Sequence, residues 1–182
     1  MRPRRLRTFD YIGCYHYSLT FCTYRRRRYF EDEILVNLID AQLSRTTVEH
    51  AFAIAAYCYM PDHVHLVLAG LHDGATLLPC VEVMRQRSSR VAKASRGIRL
   101  WQDGYFERVL RDDEQLEVVA RYVFENPVRA GLTDHASKWS GSGGRYWASY
   151  AGLPELKLGR SYGHELRELK LGPPCGRKPT EE

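Results

Sequence analysis

Four segments of the chain have the short alternating or fully apolar patterns that are typical of β-strands. Residues 15–23 alternate strictly between large apolar and polar side chains, so they predict a strand with one polar face. Residues 51–59 are apolar on both faces, and residues 63–69 (HVHLVLA) follow a Pro-Asp turn, so both predict buried strands. Residues 105–110 follow an Asp-Gly turn and predict a short fourth strand.

Three further segments carry apolar residues at the spacing of an α-helix. They are residues 32–44, the basic residues 77–95 and residues 112–125. The last of these helices should end near Asn126, because a residue that precedes proline is disfavoured in the helical conformation.

The order of these elements predicts an α+β fold. The first six follow the βαββαβ order of a ferredoxin-like fold, in which one antiparallel sheet carries two helices on one face and leaves the other face open. The seventh element is an additional helix toward the C-terminus. The first and third strands of such a sheet are usually neighbours, so the polar face of residues 15–23 should lie beside residues 63–69.

The chain length and composition suit one globular domain. It has 182 residues, of which 44% are hydrophobic and 27% are charged. We expect the domain to span residues 1–150, with a flexible loop at residues 140–146 (SGSGGRY) and a tail at residues 151–182 whose order the sequence does not define. Two copies of LKLG in that tail are too few for a repeat architecture.

Several classes of protein are excluded by local features. The longest apolar run has ten residues, which is short of the ~20 that span a bilayer. The N-terminus is charged but has no apolar stretch behind it, which argues against a signal peptide. The five cysteines are scattered with no CxxC pair, which excludes a zinc ribbon and argues against a disulfide framework. A cytoplasmic location is therefore expected.

The net charge of +5 is unevenly distributed. Residues 1–30 carry eight arginines against one acid, and residues 77–100 carry six basic residues against one acid. Arginine makes up 22 of the 27 basic residues, and its planar guanidinium suits phosphate groups. Two basic segments in one small domain indicate a polyanionic partner, although a solvated face without a partner would show the same pattern.

His63 and His65 form the most informative local pattern. Residues two apart in a strand point to the same side, so both imidazoles face one spot while Val64 faces the other way. Val64 should face the core under the two helices, which places the histidines on the opposite, open face. Paired imidazoles suit a divalent metal ion, but an HxH pair is often incidental, and the HExxH motif is absent.

A second pattern lies at the end of the last helix. Tyr122 and Asn126 are four residues apart, so they occupy the same row of the helix, one turn apart. Both could reach over the rim of the sheet. In the alternative interpretation, Tyr122 is a packing residue and Asn126 only stops the helix.

Together the two patterns are more specific. MPDHVHLVL, followed about sixty residues later by RYVFENPVRAGL, resembles the single-tyrosine HUH transposases, and most closely their REP-associated branch. The arginine-rich start with its aromatic strand and the segment WQDGYFERVLRDDEQL are also similar. The resemblance covers roughly residues 8–147.

The resemblance implies a role for each of these residues. His63, His65 and Asn126 would bind a divalent metal ion, Mg²⁺ or Mn²⁺, and Tyr122 would be the nucleophile. The implied activity is metal-dependent cleavage and rejoining of single-stranded or hairpin DNA through a covalent 5′-phosphotyrosine, without ATP. The implied setting is the nucleoid of a bacterial cytoplasm, and a monomer and a homodimer are both compatible with the sequence.

Basic residues of both segments are expected to bind the DNA phosphates. These candidates are Arg4, Arg5, Arg7, Arg25, Arg26, Arg27, Arg28, Arg85, Arg87, Arg90 and Lys93. Two other functions stay open on the same fold. One is a non-catalytic nucleic-acid-binding protein, and the other is a regulatory protein with a vestigial site.

Overall fold

The computed structural model describes residues 9–110 and 113–151. Arg4, Arg5 and Arg7, and all but the first residue of the predicted tail, lie outside the described residues. The helices and strands run, in chain order, as β1 His16–Cys22, α1 Glu33–Glu49, β2 Phe52–Met60, β3 His63–Gly70, α2 Leu77–Arg96, β4 Phe106–Leu110, α3 Asp113–Phe124, α4 Asn126–Arg129, β5 Ser142–Gly143 and α5 Trp147–Ala151.

One antiparallel sheet of five strands has the order β4-β1-β3-β2-β5. The central strand β3 lies between β1 and β2, so His65 is opposite Thr20 on one side and Cys58 on the other. The predicted βαββαβ order and the pairing of the first and third strands are confirmed. The polar face of β1 therefore borders the two histidines.

Helices α1 and α2 pack on one face of the sheet. The large apolar side chains of β1 and the even-numbered apolar residues of β3 point into this layer, and Leu19, Val64 and Leu66 are all buried there. Because side chains alternate along a strand, His63 and His65 are directed to the opposite face.

The sequence led us to expect an open opposite face, but in the structure this face is covered. Helix α3 lies across it and buries Val119, Ala120 and Val123 against Ala56 and Val67 of the sheet. The physical reason is that β2 is apolar on both faces, so it needs a second apolar layer to exclude water. The apolar stripe of α3 supplies this layer.

The prediction of a flexible loop at residues 140–146 is also wrong. Residues 142–143 form the fifth strand, where Ser142 is opposite Cys58 and Gly143 is opposite Tyr57. A Cβ atom on Gly143 would lie 2.5 Å from the hydroxyl oxygen of Tyr57. Glycine therefore serves close approach to β2 here rather than flexibility.

The chain turns sharply after α3. Helix α3 ends at Phe124, close to the predicted end, but a second short helix, α4, starts at Asn126 with Pro127 in its first turn. This turn brings Arg129 back toward the last turn of α3. No helix among the described residues is both long and apolar enough to cross a lipid bilayer.

Candidate functional site

The two sequence patterns meet in one cleft of about 260 Å³ between the sheet and the end of α3. His63 and His65 come from the start of β3, Tyr122 from α3 and Asn126 from the first position of α4. The other polar side chains that line the cleft are Ser18, Thr20 and Arg129. The pairing of β3 with β1 and the packing of α3 across the sheet bring these residues together.

The two histidines face each other through their Nε2 atoms, which are 3.1 Å apart. Their outer nitrogens are each held by a neighbour. Nδ1 of His63 is 2.7 Å from a carboxylate oxygen of Asp62, and Nδ1 of His65 is 3.0 Å from the hydroxyl of Thr20. Because a carboxylate only accepts hydrogen bonds, His63 donates through Nδ1, and its Nε2 carries a lone pair in the neutral ring.

Burial keeps both imidazoles neutral. It lowers the pKa of His63, and the hydrogen bond to Asp62 opposes this effect only in part. Burial also lowers the pKa of His65 well below the ordinary value, and the neighbouring His63 and Arg129 lower it further. Neutral imidazole is the form that binds metal ions.

The donor atoms fit one divalent ion. Two imidazole nitrogens that bind an ion at about 2.1 Å in adjacent positions are about 3 Å apart, close to the separation of the two Nε2 atoms. Within the described part of the chain, no three His, Cys, Asp or Glu side chains converge. Among the other polar groups that line the cleft, the amide of Asn126 is the candidate for a third ligand. Its nitrogen donates to the carbonyl oxygens of Tyr122 and Val123, both at 3.1 Å, which turns its oxygen away from them.

Arg26 supports His63 indirectly, through Asp62. The second carboxylate oxygen of Asp62 forms an ion pair of 2.9 Å with Nε of Arg26. Arg26, Asp62 and His63 therefore form a chain of charge-assisted contacts that ends at the cleft. Sequence analysis assigned Arg26 only to DNA binding, whereas in the structure Arg26 is bound to Asp62.

Tyr122 is held by Arg129. The guanidinium carbon of Arg129 lies 3.7 Å from the centroid of the Tyr122 ring, and its Nη2 donates a 2.7 Å hydrogen bond to the Tyr122 carbonyl oxygen. Sequence reasoning assigned no role to Arg129, Asp62 or Thr20. Their positions in the sequence could have identified them, since each lies beside or within a segment that the sequence analysis singled out.

Four predicted phosphate-binding residues of the first basic segment lie among the described residues and directly follow β1; they are Arg25, Arg26, Arg27 and Arg28. Arg25 and Arg27 are exposed just after β1, whose last residue is opposite His63. Arg28 is exposed as well and forms an ion pair of 2.8 Å with Glu31.

The predicted phosphate-binding residues of α2 lie on the other face of the sheet, where α2 packs with α1. Arg85 donates to the carbonyl oxygens of Gln102 and Gly104, and Arg87 pairs with Glu49. Arg90 and Lys93 are exposed. The predicted phosphate-binding residues of α2 therefore do not reach the cleft, but the end of the second basic segment meets the first, since Arg25 and Arg99 both lie over the ring of Tyr24.

Comparison with known proteins gives one family match and several relatives. Residues 12–126 match the family described as Transposase IS200 like. A REP-associated tyrosine transposase of Haemophilus influenzae is 24% identical over an alignment of 170 residues. The match covers 84% of this chain and 95% of that protein.

A solved structure agrees on the fold. A REP-associated tyrosine transposase bound to a REP hairpin has a TM-score of 0.68 at 17% identity, and the match covers 84% of this chain and 89% of that one. A transposase from Deinococcus radiodurans is 22% identical over 66% of this chain and 95% of its own, but its TM-score of 0.44 is too low to support an argument. The family match covers more than half of the chain and confirms the resemblance seen in the two motifs, so the chain belongs to the family of IS200-like transposases.

Proposed function

We propose that this transposase cuts and rejoins single-stranded DNA beside a hairpin, with Tyr122 as its nucleophile and with His63, His65 and Asn126 as the ligands of Mg²⁺ or Mn²⁺. One observation carries the proposal. One strand and two helices bring a tyrosine, a neutral histidine pair with facing Nε2 atoms and an amide into one cleft. The relative solved with a REP hairpin supports a hairpin substrate.

The histidine pair need not release a net proton to bind a cation at neutral pH, because burial holds the pKa of both residues below the ordinary value. Asp62 and Thr20 fix the ring orientations from behind, which is the usual arrangement around histidine ligands. A bound divalent ion would withdraw negative charge from the non-bridging oxygens of the phosphate and so reduce its repulsion of a nucleophile.

Tyr122 supplies the nucleophilic oxygen. In the proposed reaction its phenol oxygen forms a bond to phosphorus while the bond to the 3′ oxygen of the preceding nucleotide breaks. The phenol proton passes to water, and the departing 3′ oxygen takes up a proton. The products are a 5′-phosphotyrosine and a free 3′-hydroxyl, so the phosphoester is conserved and a second strand can later displace the tyrosine.

The DNA would approach along the end of β1. Arg25 and Arg27 are exposed there and can bind phosphates beside the cleft. Arg90 and Lys93 could hold only a part of the substrate that reaches the opposite face. Because such a substrate is chromosomal, we place the activity at the bacterial nucleoid.

The test is covalent trapping. The full chain is incubated with Mn²⁺ and end-labelled single strands that carry imperfect hairpins with unpaired flanks, taken from the DNA around its own gene. We expect a protein–DNA adduct that needs the metal ion, with the phosphate on the peptide that contains Tyr122. Tyr122→Phe should abolish the adduct, and the control Tyr146→Phe, which changes a tyrosine packed on the same face, should not. Metal-independent binding without any adduct would instead support a non-catalytic nucleic-acid-binding protein.

A further inference from the structure

Arg129 is a charged residue of the cleft to which the proposed function gives no task. The carbon atom of its guanidinium lies 3.7 Å from the centroid of the Tyr122 ring, and Nη2 donates a hydrogen bond to the carbonyl oxygen of the same residue. The short helix α4 makes this contact possible by reversing the chain after α3. The positive charge is therefore held directly beside the proposed nucleophile.

No described carboxylate forms a direct ion pair with Arg129, although Glu125 is near enough to interact with its charge. Partial burial lowers the pKa of Arg129, and the neighbouring Tyr122 and Glu125 oppose this effect. A guanidinium stays protonated at neutral pH under these influences. Its charge also reaches the metal-binding end of the cleft, since it is one of the causes of the lowered pKa of His65.

A cation–π contact alone does not explain this arrangement. Such a contact is worth about 0.5–2 kcal/mol and uses only one face of the guanidinium; Arg129 is an exposed residue, so its remaining N–H donors can be reached from the solvent. Arginine has five N–H donors, and the carbonyl of Tyr122 takes one of them. The planar fork matches two oxygens of a phosphate group, and the entering substrate is the anion that the cleft lacks.

We propose, on the basis of the function proposed above, that Arg129 is a catalytic residue that donates hydrogen bonds to a non-bridging oxygen of the phosphate attacked by Tyr122. During the attack it neither gives nor takes a proton. It stabilises the charge on the phosphate oxygens while the bond to Tyr122 forms and the bond to the 3′ oxygen breaks. Its stacking on the ring holds the phenol oxygen toward the same phosphate.

The first measurement is the rate of adduct formation. Arg129→Ala should lower it by roughly 10²–10³-fold, which is typical for the loss of one positioned donor to a developing oxyanion. Arg129→Lys should lie between the wild type and Arg129→Ala, because it keeps the charge but loses the fork. The matched control is Arg45→Ala, which removes an exposed arginine of α1 on the far face of the sheet and should keep the wild-type rate. An unchanged rate in Arg129→Ala would overturn the proposal.

The second measurement separates phosphate contact from a structural role. In the Tyr122→Phe background, which keeps the ring, DNA affinity is measured for a normal strand and for a strand with a neutral methylphosphonate at the cleaved position. Arg129→Ala should weaken binding of the normal strand about tenfold and leave binding of the methylphosphonate strand within about twofold, since the charged oxygen is then missing. An equal loss on both strands would show that Arg129 acts through the fold and would contradict the proposal.

Mn²⁺ binding completes the test. Arg129→Ala should bind Mn²⁺ as well as the wild type or more tightly, because a positive charge near His65 has been removed. A loss of Mn²⁺ binding would show that the site has collapsed, which would overturn a direct role. If the wild type forms no adduct while its affinity still depends on Arg129 and on the phosphate charge, the proposed cleavage fails but the phosphate contact stands.

Discussion

Thr20 lies directly opposite His65 in the pairing of β1 with β3, and its hydroxyl oxygen is 3.0 Å from Nδ1 of that histidine. A hydroxyl can both donate and accept, so Thr20 is compatible with either tautomer of the neutral ring. Asp62 leaves His63 no such choice, because a carboxylate only accepts. In the empty pair His65 can therefore donate from Nε2 to His63, and on binding a cation it can move that proton to Nδ1, where the Thr20 oxygen accepts it.

Thr20→Val should weaken Mn²⁺ binding by roughly 10-fold, since the change keeps the shape of the side chain but removes the partner that fixes the His65 ring. Isothermal titration with Mn²⁺ measures the effect. Thr133→Val, which removes a hydroxyl bonded to the backbone of the loop after α4, is the matched control and should leave the affinity unchanged. Wild-type affinity in Thr20→Val would show that Thr20 does not orient the histidine.

His63→Ala should abolish both Mn²⁺ binding and cleavage, whereas Asn126→Ala should reduce them less. The reason is that a neutral amide oxygen is a weaker ligand than imidazole nitrogen, and water can take its place. DNA affinity should be largely kept in both variants, because exposed arginines provide it. His72→Ala, at an exposed histidine outside the cleft, serves as the control. If Asn126→Ala leaves the metal dependence of cleavage untouched, its assignment as a ligand is wrong.

Stability should fall when the pH drops from about 7.5 to 5.5. Burial holds the pKa of His65 well below the ordinary value of 6.5, so the unfolded chain binds a proton in this window that the folded chain does not. The stabilising contribution is present above pH 6.5 and is lost as the pH falls toward the lowered value. Thermal unfolding of the wild type and of His65→Gln measures it, and the variant should lose less stability over this range. Equal losses in the two proteins would contradict the role of His65.

Arg25 and Arg27 should carry the salt dependence of DNA binding at the cleft, because both are exposed beside it. Each replacement by alanine should flatten the slope of log K against log salt by about 0.7, the value for one phosphate contact on a single strand. Arg26→Ala should change the slope less but weaken Mn²⁺ binding, since Arg26 holds Asp62 behind His63. Fluorescence anisotropy over a range of KCl concentrations measures the slopes. If only Arg26→Ala flattened the slope, Arg26 would be the phosphate contact and the assignment of Arg25 and Arg27 would be wrong.

Sequence patterns alone predicted the order of the elements, the one-sided polarity of β1 and the side shared by His63 and His65. Tyr122 and Asn126 were expected in one row of a single helix. They lie in the successive helices α3 and α4, but the Asn126 amide still contacts the Tyr122 carbonyl oxygen. These relationships are local, because they depend on residues two or four positions apart, and the same periodicity sets them wherever the element packs.

Packing between residues far apart in the sequence determines how these local faces are covered. A periodic pattern tells which side of α3 or β2 is apolar, but not what covers it. Such packing also accounts for the return of α3 across the sheet, the contact of Arg129 with Tyr122, the use of Arg26 to hold Asp62 and the place of the α2 arginines on the other face of the sheet. Because β2 is apolar on both faces, α3 lies over the sheet beside the histidines, and this packing brings Tyr122 into the same cleft.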